Sequence, residues 1–305
     1  MATFDWNQMI SNIPQTWKAT KGKGAKVAIL DSGADLGHPA LAHLVRNGRC
    51  FWAAKLGQTD ENDVTDARPR GNNHGTRCLS IMASNDSQNL IGIAPEADYY
   101  IIKVADENAA VWHATFIKAL NKAIDLGVDV IVTSLTPRAR GNMATEADVN
   151  LAFDAIKQKN IAFVASLRNR DDVDNVNDII FPATRPEAIV VGSLTDSVLQ
   201  QLAAGDKLDT RIDFVLPRKI QVQTCNNDKL NPSSYLTSDC PSSFANAAFG
   251  GVIALFVAHL RATEGSTYQP RSKENLLLEL RANASQPLDA QAMLQTHPTA
   301  FFNNK

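Results

Sequence analysis

Apolar positions in this chain fall into short unbroken runs separated by amphipathic stretches. Val27 to Leu30, Ala97 to Val104, Val128 to Val132, Ile161 to Val164 and Ala188 to Val191 each read as a buried strand. Between them, Thr115 to Leu126 and about Ala144 to Lys159 carry apolar residues at helical spacing. Continuous apolar strands alternating with helices of about 10 to 15 residues predict a parallel sheet covered on both faces. The expected fold class is therefore α/β, with a central, mostly parallel sheet and helices on both faces. The stretch from Ala247 to Leu260 is apolar nearly all round and predicts a buried helix. Its unbroken apolar run, Ala247 to Ala258, is too short to cross a bilayer. Lys273 to Leu280 and Leu288 to Leu294 read as surface helices closing the fold. No internal repeat, low-complexity tract or Pro/Gly/Ser-rich linker interrupts the chain, so residues 1–305 are expected to form a single domain.

Composition narrows the picture. With 305 residues, 44% of them hydrophobic, the chain can bury about three quarters of its unfolded surface. The net charge is -2 and no long basic run occurs, so neither nucleic acid nor an anionic membrane is expected as a partner. The start, Met1-Ala2-Thr3-Phe4-Asp5-Trp6, lacks the basic and apolar regions of a secretory signal. Cys50, Cys78, Cys225 and Cys240 form no CxxC pattern and are too few for a disulfide scaffold. Free thiols in the cytoplasm are expected, with a Cys225–Cys240 pair as the alternative in an oxidising compartment.

Three blocks carry candidate chemistry. Val27-Ala28-Ile29-Leu30-Asp31-Ser32-Gly33 puts an aspartate at the carboxyl end of a parallel strand, where α/β proteins place their sites. Asn73-His74-Gly75-Thr76 puts a histidine at the start of an amphipathic helix. Pro241-Ser242-Ser243-Phe244-Ala245 puts a serine in the first turn of the buried helix. Taken singly, these read as a loop aspartate, a structural histidine and an N-cap. Together they read as a nucleophile beside unpaired N–H groups and the positive end of a helix dipole, with a base and its orienter.

In order and company the blocks resemble the subtilisin-like serine proteases, from about Trp17 to about Leu280. Val27 to Leu41 (VAILDSGADLGHPAL) is similar to that family's aspartate block, and His74-Gly75-Thr76 to its histidine block. Ile91-Gly92-Ile93-Ala94-Pro95 with Ile102-Lys103-Val104, then Phe181-Pro182-Ala183 with Ala188 to Gly192, resemble further family segments. Pro241 to Leu255 aligns without a gap to the serine block, and the chain order Asp, His, Ser is the family's own. The resemblance implies a subtilisin-like three-layer fold and a serine endopeptidase acting on protein or peptide substrates. It implies Ser243 as nucleophile, His74 as general base and acid, and Asp31 as orienter of His74. Asn169, at the end of Phe163-Val164-Ala165-Ser166-Leu167-Arg168-Asn169, takes the place of the oxyanion donor.

The departures bear on specificity. The family's Ser-Leu-Gly-Gly is Ser134-Leu135-Thr136-Pro137 here, and the glycine before the oxyanion asparagine is Arg168. Gly-Thr before the nucleophile is Pro241-Ser242, and the proline of the serine helix is Ala247. The resemblance assigns substrate binding to Ser134, Leu135, Thr136, Ser166, Arg168 and Arg170. Either the two arginines make the pocket basic and favour an acidic residue on the acyl side, or they pair with the acidic loop Asp171 to Asp178 and narrow the site. Pro137 removes one N–H from the edge that should pair with substrate. These losses keep open a second class, a pseudoprotease that binds a protein without cutting it. A nucleotide-binding domain is disfavoured because Asp31-Ser32-Gly33-Ala34 is no glycine-rich fingerprint.

Many family members hold structural calcium, but Ala40 replaces one common aspartate ligand and the loop from Ser84 to Asn89 is short. The acidic cluster Asp60, Glu61, Asp63 and Asp66 has the ligands to bind a cation, but it reads rather as a solvated loop. No metal or cofactor is expected. Only about 25 residues precede the first strand, so no prodomain is legible. An activating or inhibitory protein partner and limited cleavage of a specific intracellular protein fit that pattern.

Overall fold

The computed structural model describes residues 17–44, 48–58, 62–66, 73–106, 108, 110–138, 143–167, 179–194, 211–218, 221–228 and 231–282. Seven strands form one sheet: β1 (Lys26–Asp31), β2 (Cys50–Trp52), β5 (Asp98–Lys103), β6 (Val130–Thr133), β7 (Ala162–Ser166), β8 (Ala188–Leu194) and β9 (Phe214–Pro217). Their order is β2-β5-β1-β6-β7-β8-β9, and every neighbouring pair is parallel. Two small antiparallel ribbons accompany it: β3 (Asn85–Asp86) with β4 (Leu90–Ile91), and β10 (Gln221–Asp228) with β11 (Asn231–Asp239).

Alternate residues of the sheet feed two separate cores. On one face Ile29, Val132, Val164 and Val191 pack under α1 (His74–Ala83), α4 (Ser242–Glu264) and α5 (Lys273–Ala282). On the other, Leu30, Ile131, Phe163 and Val190 pack under α2 (His113–Asp125) and α3 (Glu146–Gln158). Both faces are dry, which is why the strands read as unbroken apolar runs. The α/β expectation with helices on both faces is met.

Helix α4 is the longest element and runs beyond both predicted ends. By length and hydropathy (mean 1.6) it could span a bilayer, yet 89% of its apolar window is buried inside the protein. Gly250 lets it lie directly on β6, since a Cβ there would sit 2.4 Å from Val132 Cγ2. Its far end is clamped: Arg261 donates to both Asp129 carboxylate oxygens at 2.6 Å, and Asp129 also accepts the Lys26 N–H at 2.8 Å.

Some expectations need amending. Helix α5 is not merely a surface helix: Leu276, Leu277 and Leu280 are buried in the α1/α4 core. Leu288 to Leu294 lies outside the described residues. All four cysteines are buried and free, which removes the Cys225–Cys240 pair. Burial pushes the Cys225 thiol up to about 12, so it stays protonated at neutral pH. The pattern did not reveal the β10–β11 ribbon. Its strands mix buried Val222, Thr224 and Cys225 with polar outward residues, and no apolar run marks them.

Candidate active site

The carboxyl edge of the sheet gathers the three candidate blocks. Asp31 is the last residue of β1, His74 the first of α1, and Ser243 lies in the first turn of α4. His74 Nδ1 is 2.8 Å from Asp31 Oδ1, and Asp31 is almost wholly buried. The same carboxylate oxygen accepts the Ser32 N–H at 2.7 Å, which fixes its orientation. Burial works against a charge on the His74 ring. The Asp31 carboxylate, with a lesser contribution from Cys78, still holds the His74 pKa well above the ordinary 6.5.

A second buried aspartate sets the histidine helix in place. Asp66 accepts from Thr76 N–H at 3.0 Å, Thr76 Oγ1 at 2.9 Å and Ser32 Oγ at 2.9 Å. Ser32 Oγ in turn accepts the Gly75 N–H at 2.9 Å. Two of the orphan N–H groups that open α1 are thus capped from the Asp31 loop and the Asp66 loop. Asp66 is 1% exposed, so its reading as part of a solvated acidic loop is overturned. Nothing in its local sequence separates it from exposed Asp63; only the contact with Ser32 and Thr76 does. Gly75 is required here, because a Cβ would lie 2.1 Å from the Gly33 carbonyl oxygen.

The turn bearing Ser243 is stitched to the strand ends beneath it. Ser134 Oγ donates to the Ser243 carbonyl at 3.3 Å, and Asn246 Nδ2 donates to Thr133 O at 2.9 Å and Ser134 Oγ at 3.1 Å. Ser242 Oγ accepts the Ser193 N–H at 3.0 Å. Cys78 Sγ lies 3.8 and 3.9 Å from the two His74 ring nitrogens and 3.9 Å from the Ser243 carbonyl oxygen. Burial pushes the Cys78 thiol up, so it stays neutral between the two blocks. Arg77 crosses from α1 to β10 and β11, bonding Thr224 at 3.1 Å and Ser238 at 2.9 Å, and stacks over Phe244 at 4.7 Å. Among the described residues, neither the Ser243 N–H nor its hydroxyl makes a hydrogen bond, and none joins the hydroxyl to His74. Sequence reasoning did not single out Asn246, although it is fully buried with Oδ1 unpartnered.

Comparison with known proteins identifies the family. The profile of the subtilase family matches residues 22–301. The chain belongs to the subtilase family. It is accordingly a subtilisin-like serine endopeptidase, with protein or peptide as its substrate class. It is 30% identical over 280 residues to the major intracellular serine protease of Bacillus subtilis, covering 90% of this chain and 81% of that one. The intracellular serine protease of Paenibacillus polymyxa is 27% identical over 286 residues, 88% and 83% of the two chains. Thermitase of Thermoactinomyces vulgaris is 34% identical over 143 residues, 46% of this chain and 47% of its own.

Other predicted site residues of this subtilase divide into two sets. Ser134, Leu135 and Thr136 continue β6 past its end, beside the Ser243 turn, and Thr136 is exposed. Ser166 closes β7 at the same edge, half-buried. Arg168, Asn169 and Arg170 lie outside the described residues.

Among the described residues, neither Asp86 nor Ala40 suits the calcium that many subtilases hold. Asp86, in the Ser84–Asn89 loop, accepts from Gln88 N–H, Asn89 Nδ2 and Tyr235 Oη at 3.0, 2.8 and 2.5 Å. Its carboxylate is already engaged by protein donors, and Ala40 supplies no oxygen from its side chain. Among the described residues the one cluster of three metal-ligating side chains is Asp31, His74 and Cys78, the first two being catalytic candidates.

Proposed function

We propose that this subtilase hydrolyses peptide bonds with Ser243 as nucleophile, His74 as general base and then general acid, and Asp31 as orienter of His74. The observation carrying this reading is the 2.8 Å contact between His74 Nδ1 and buried Asp31, at the helix start that faces the Ser243 turn. With Nδ1–H donating to Asp31, His74 Nε2 is left as the acceptor for the Ser243 proton. The hydroxyl closes on Nε2 when substrate binds, since such bonds are often long without it. Attack on the scissile carbonyl forms a tetrahedral oxyanion. The Ser243 N–H, unbonded at the first turn of α4, is one donor to it, and the side-chain amide of Asn169 is the second. Collapse transfers the proton from His74 to the leaving amine and gives an acyl-enzyme, which water then hydrolyses by the same route.

Substrate lies along Ser134, Leu135 and Thr136 on the acyl side, with Ser166, Arg168 and Arg170 about the primary pocket. The two arginines give that pocket a preference for an acidic side chain. The enzyme works in the cytoplasm on a specific protein, a reading supported by its likeness to the intracellular serine proteases of Bacillus subtilis and Paenibacillus polymyxa. A fluorophosphonate should label Ser243 and leave the Ser243→Ala protein unlabelled. A second reading, a subtilase-like module that binds protein without cutting it, is favoured by the unbonded Ser243 hydroxyl and by Pro137. Failure of the probe to label, with an activating partner added, would decide for that second reading.

A further inference from the structure

The strand edge beside the nucleophile is short and closed at its far end. From Ser134, whose hydroxyl reaches the Ser243 carbonyl, the chain runs through Leu135 and Thr136 to Pro137 and Arg138. Among the described residues, no protein group pairs with the Leu135 carbonyl or with the backbone of Thr136. The Leu135 N–H makes only a 3.5 Å contact with Thr133 Oγ1. The Thr136 N–H and carbonyl, which share one edge, are open ladder positions of the kind that capture an extended peptide. From Ser134 to Thr136 the edge spans about 10 Å, room for three residues of a partner strand.

Beyond them the ladder is used up. Pro137 has no N–H to give. The Arg138 N–H donates to the Val111 carbonyl at 2.9 Å, and Arg138 pairs as a parallel bridge with Trp112. The Arg138 guanidinium sits 5.4 Å from the centre of the Trp112 ring. Trp112 is itself anchored: its Nε1 donates to Asp106 Oδ2 at 2.7 Å, while Asp106 Oδ1 accepts the Asn108 and Ala110 N–H groups at 2.8 Å. The Asp106 N–H also donates to the Ala110 carbonyl at 2.8 Å. The carbonyl of Val111 is thus already engaged by the Arg138 N–H.

We propose that substrate pairing on the acyl side of the scissile bond ends at the third residue, where Arg138 and Trp112 close the groove. This rests on the assignment of Ser134 to Thr136 as the acyl-side segment. The substrate class that follows is an exposed loop extended for only three residues before the cut, rather than a long unfolded strand.

The test is a series of peptides that lengthen one residue at a time on the acyl side, with a fixed leaving group. The kcat/KM should climb by about tenfold or more from one residue to three, then change by less than about twofold at four and five. A gain of about tenfold at the fourth residue would overturn the proposal while leaving the triad intact. Arg138→Pro removes the donor to Val111 and should create a gain at the fourth residue, and Trp112→Ala should do so by removing the wall. Normal probe labelling of both variants with no such gain would also overturn it. Should a variant fail to label, the wild-type series decides alone. Absence of both cleavage and labelling in the wild type would instead remove the catalytic reading on which the proposal stands.

Discussion

At the scale of single residues, the Asp31–His74 pair dictates how activity should follow pH. As the proposed base, His74 must be neutral to accept a proton, and although burial opposes its charge, Asp31 holds its pKa well above 6.5. The acidic limb of kcat/KM should therefore lie above pH 6.5, with activity rising as pH rises through it. Asp31→Asn removes the opposing charge and leaves burial to dominate, so the limb should move below 6.5. The same change should cost about 10⁴-fold in kcat, as loss of a triad orienter does elsewhere. The pair also links pH to stability. A histidine whose pKa is raised by folding stabilises the fold fully below its unfolded value of 6.5, and that contribution fades as pH rises through the folded value. Thermal unfolding of wild type and Asp31→Asn at several pH values would show the two curves converging toward alkaline pH. Asn246 is a further point of leverage. Asn246→Ala deletes its bonds to Thr133 and Ser134, so the Ser243 turn loses two of its ties. A loss of about 1–3 kcal/mol in stability is expected, read by denaturant unfolding, with kcat reduced more than KM.

At the scale of elements, two glycines decide whether helices can reach their places. Gly75→Ala would drive a Cβ into the Gly33 backbone and push α1 off the Asp31 loop. A destabilisation of about 1–3 kcal/mol with near-complete loss of activity is expected. Gly250→Ala meets the Val132 side chain instead and lifts α4 from β6. It should cost a similar amount in stability but spare more activity, because Ser243 sits two turns away. Denaturation midpoints and probe labelling, measured side by side, separate the two. The elements themselves were largely legible in the sequence. Strands β1, β5, β6, β7 and β8 are buried on both faces and announce themselves as apolar runs, and α2 and α3 follow the helical period. Strand β2, three residues long, and β9, ended by Pro217, are too short for a periodicity to show. Asp66 and Asn246 were invisible for another reason. Their roles exist only in contacts with residues far along the chain, and neither stands in a spacing that betrays it.

At the scale of the whole molecule, distant segments are joined by polar clamps. Tyr235 of β11 donates to Asp86, His38 Nε2 lies 3.0 Å from the Ser234 carbonyl, and the His38 and Tyr235 rings meet edge to face at 5.0 Å. These contacts tie the β10–β11 ribbon to the loops beside β1 and α1. A calcium chelator should leave the melting temperature unchanged, whereas Tyr235→Phe should cost about 1 kcal/mol. A marked fall in melting temperature on chelation would show that a bound ion, not the Tyr235 contact, holds this region.

Helix α4 supplies both the hydroxyl of Ser243 and the lid over one face of the sheet, and it comes late in the chain. During synthesis the ribosome releases the carboxylate and imidazole long before that helix. A nascent chain short of residue 264 has neither the proposed nucleophile in position nor a closed core to hold it. On the proposed mechanism, cutting power arrives only after residue 264 has been made, so copies shorter than that cannot attack their neighbours on the same message.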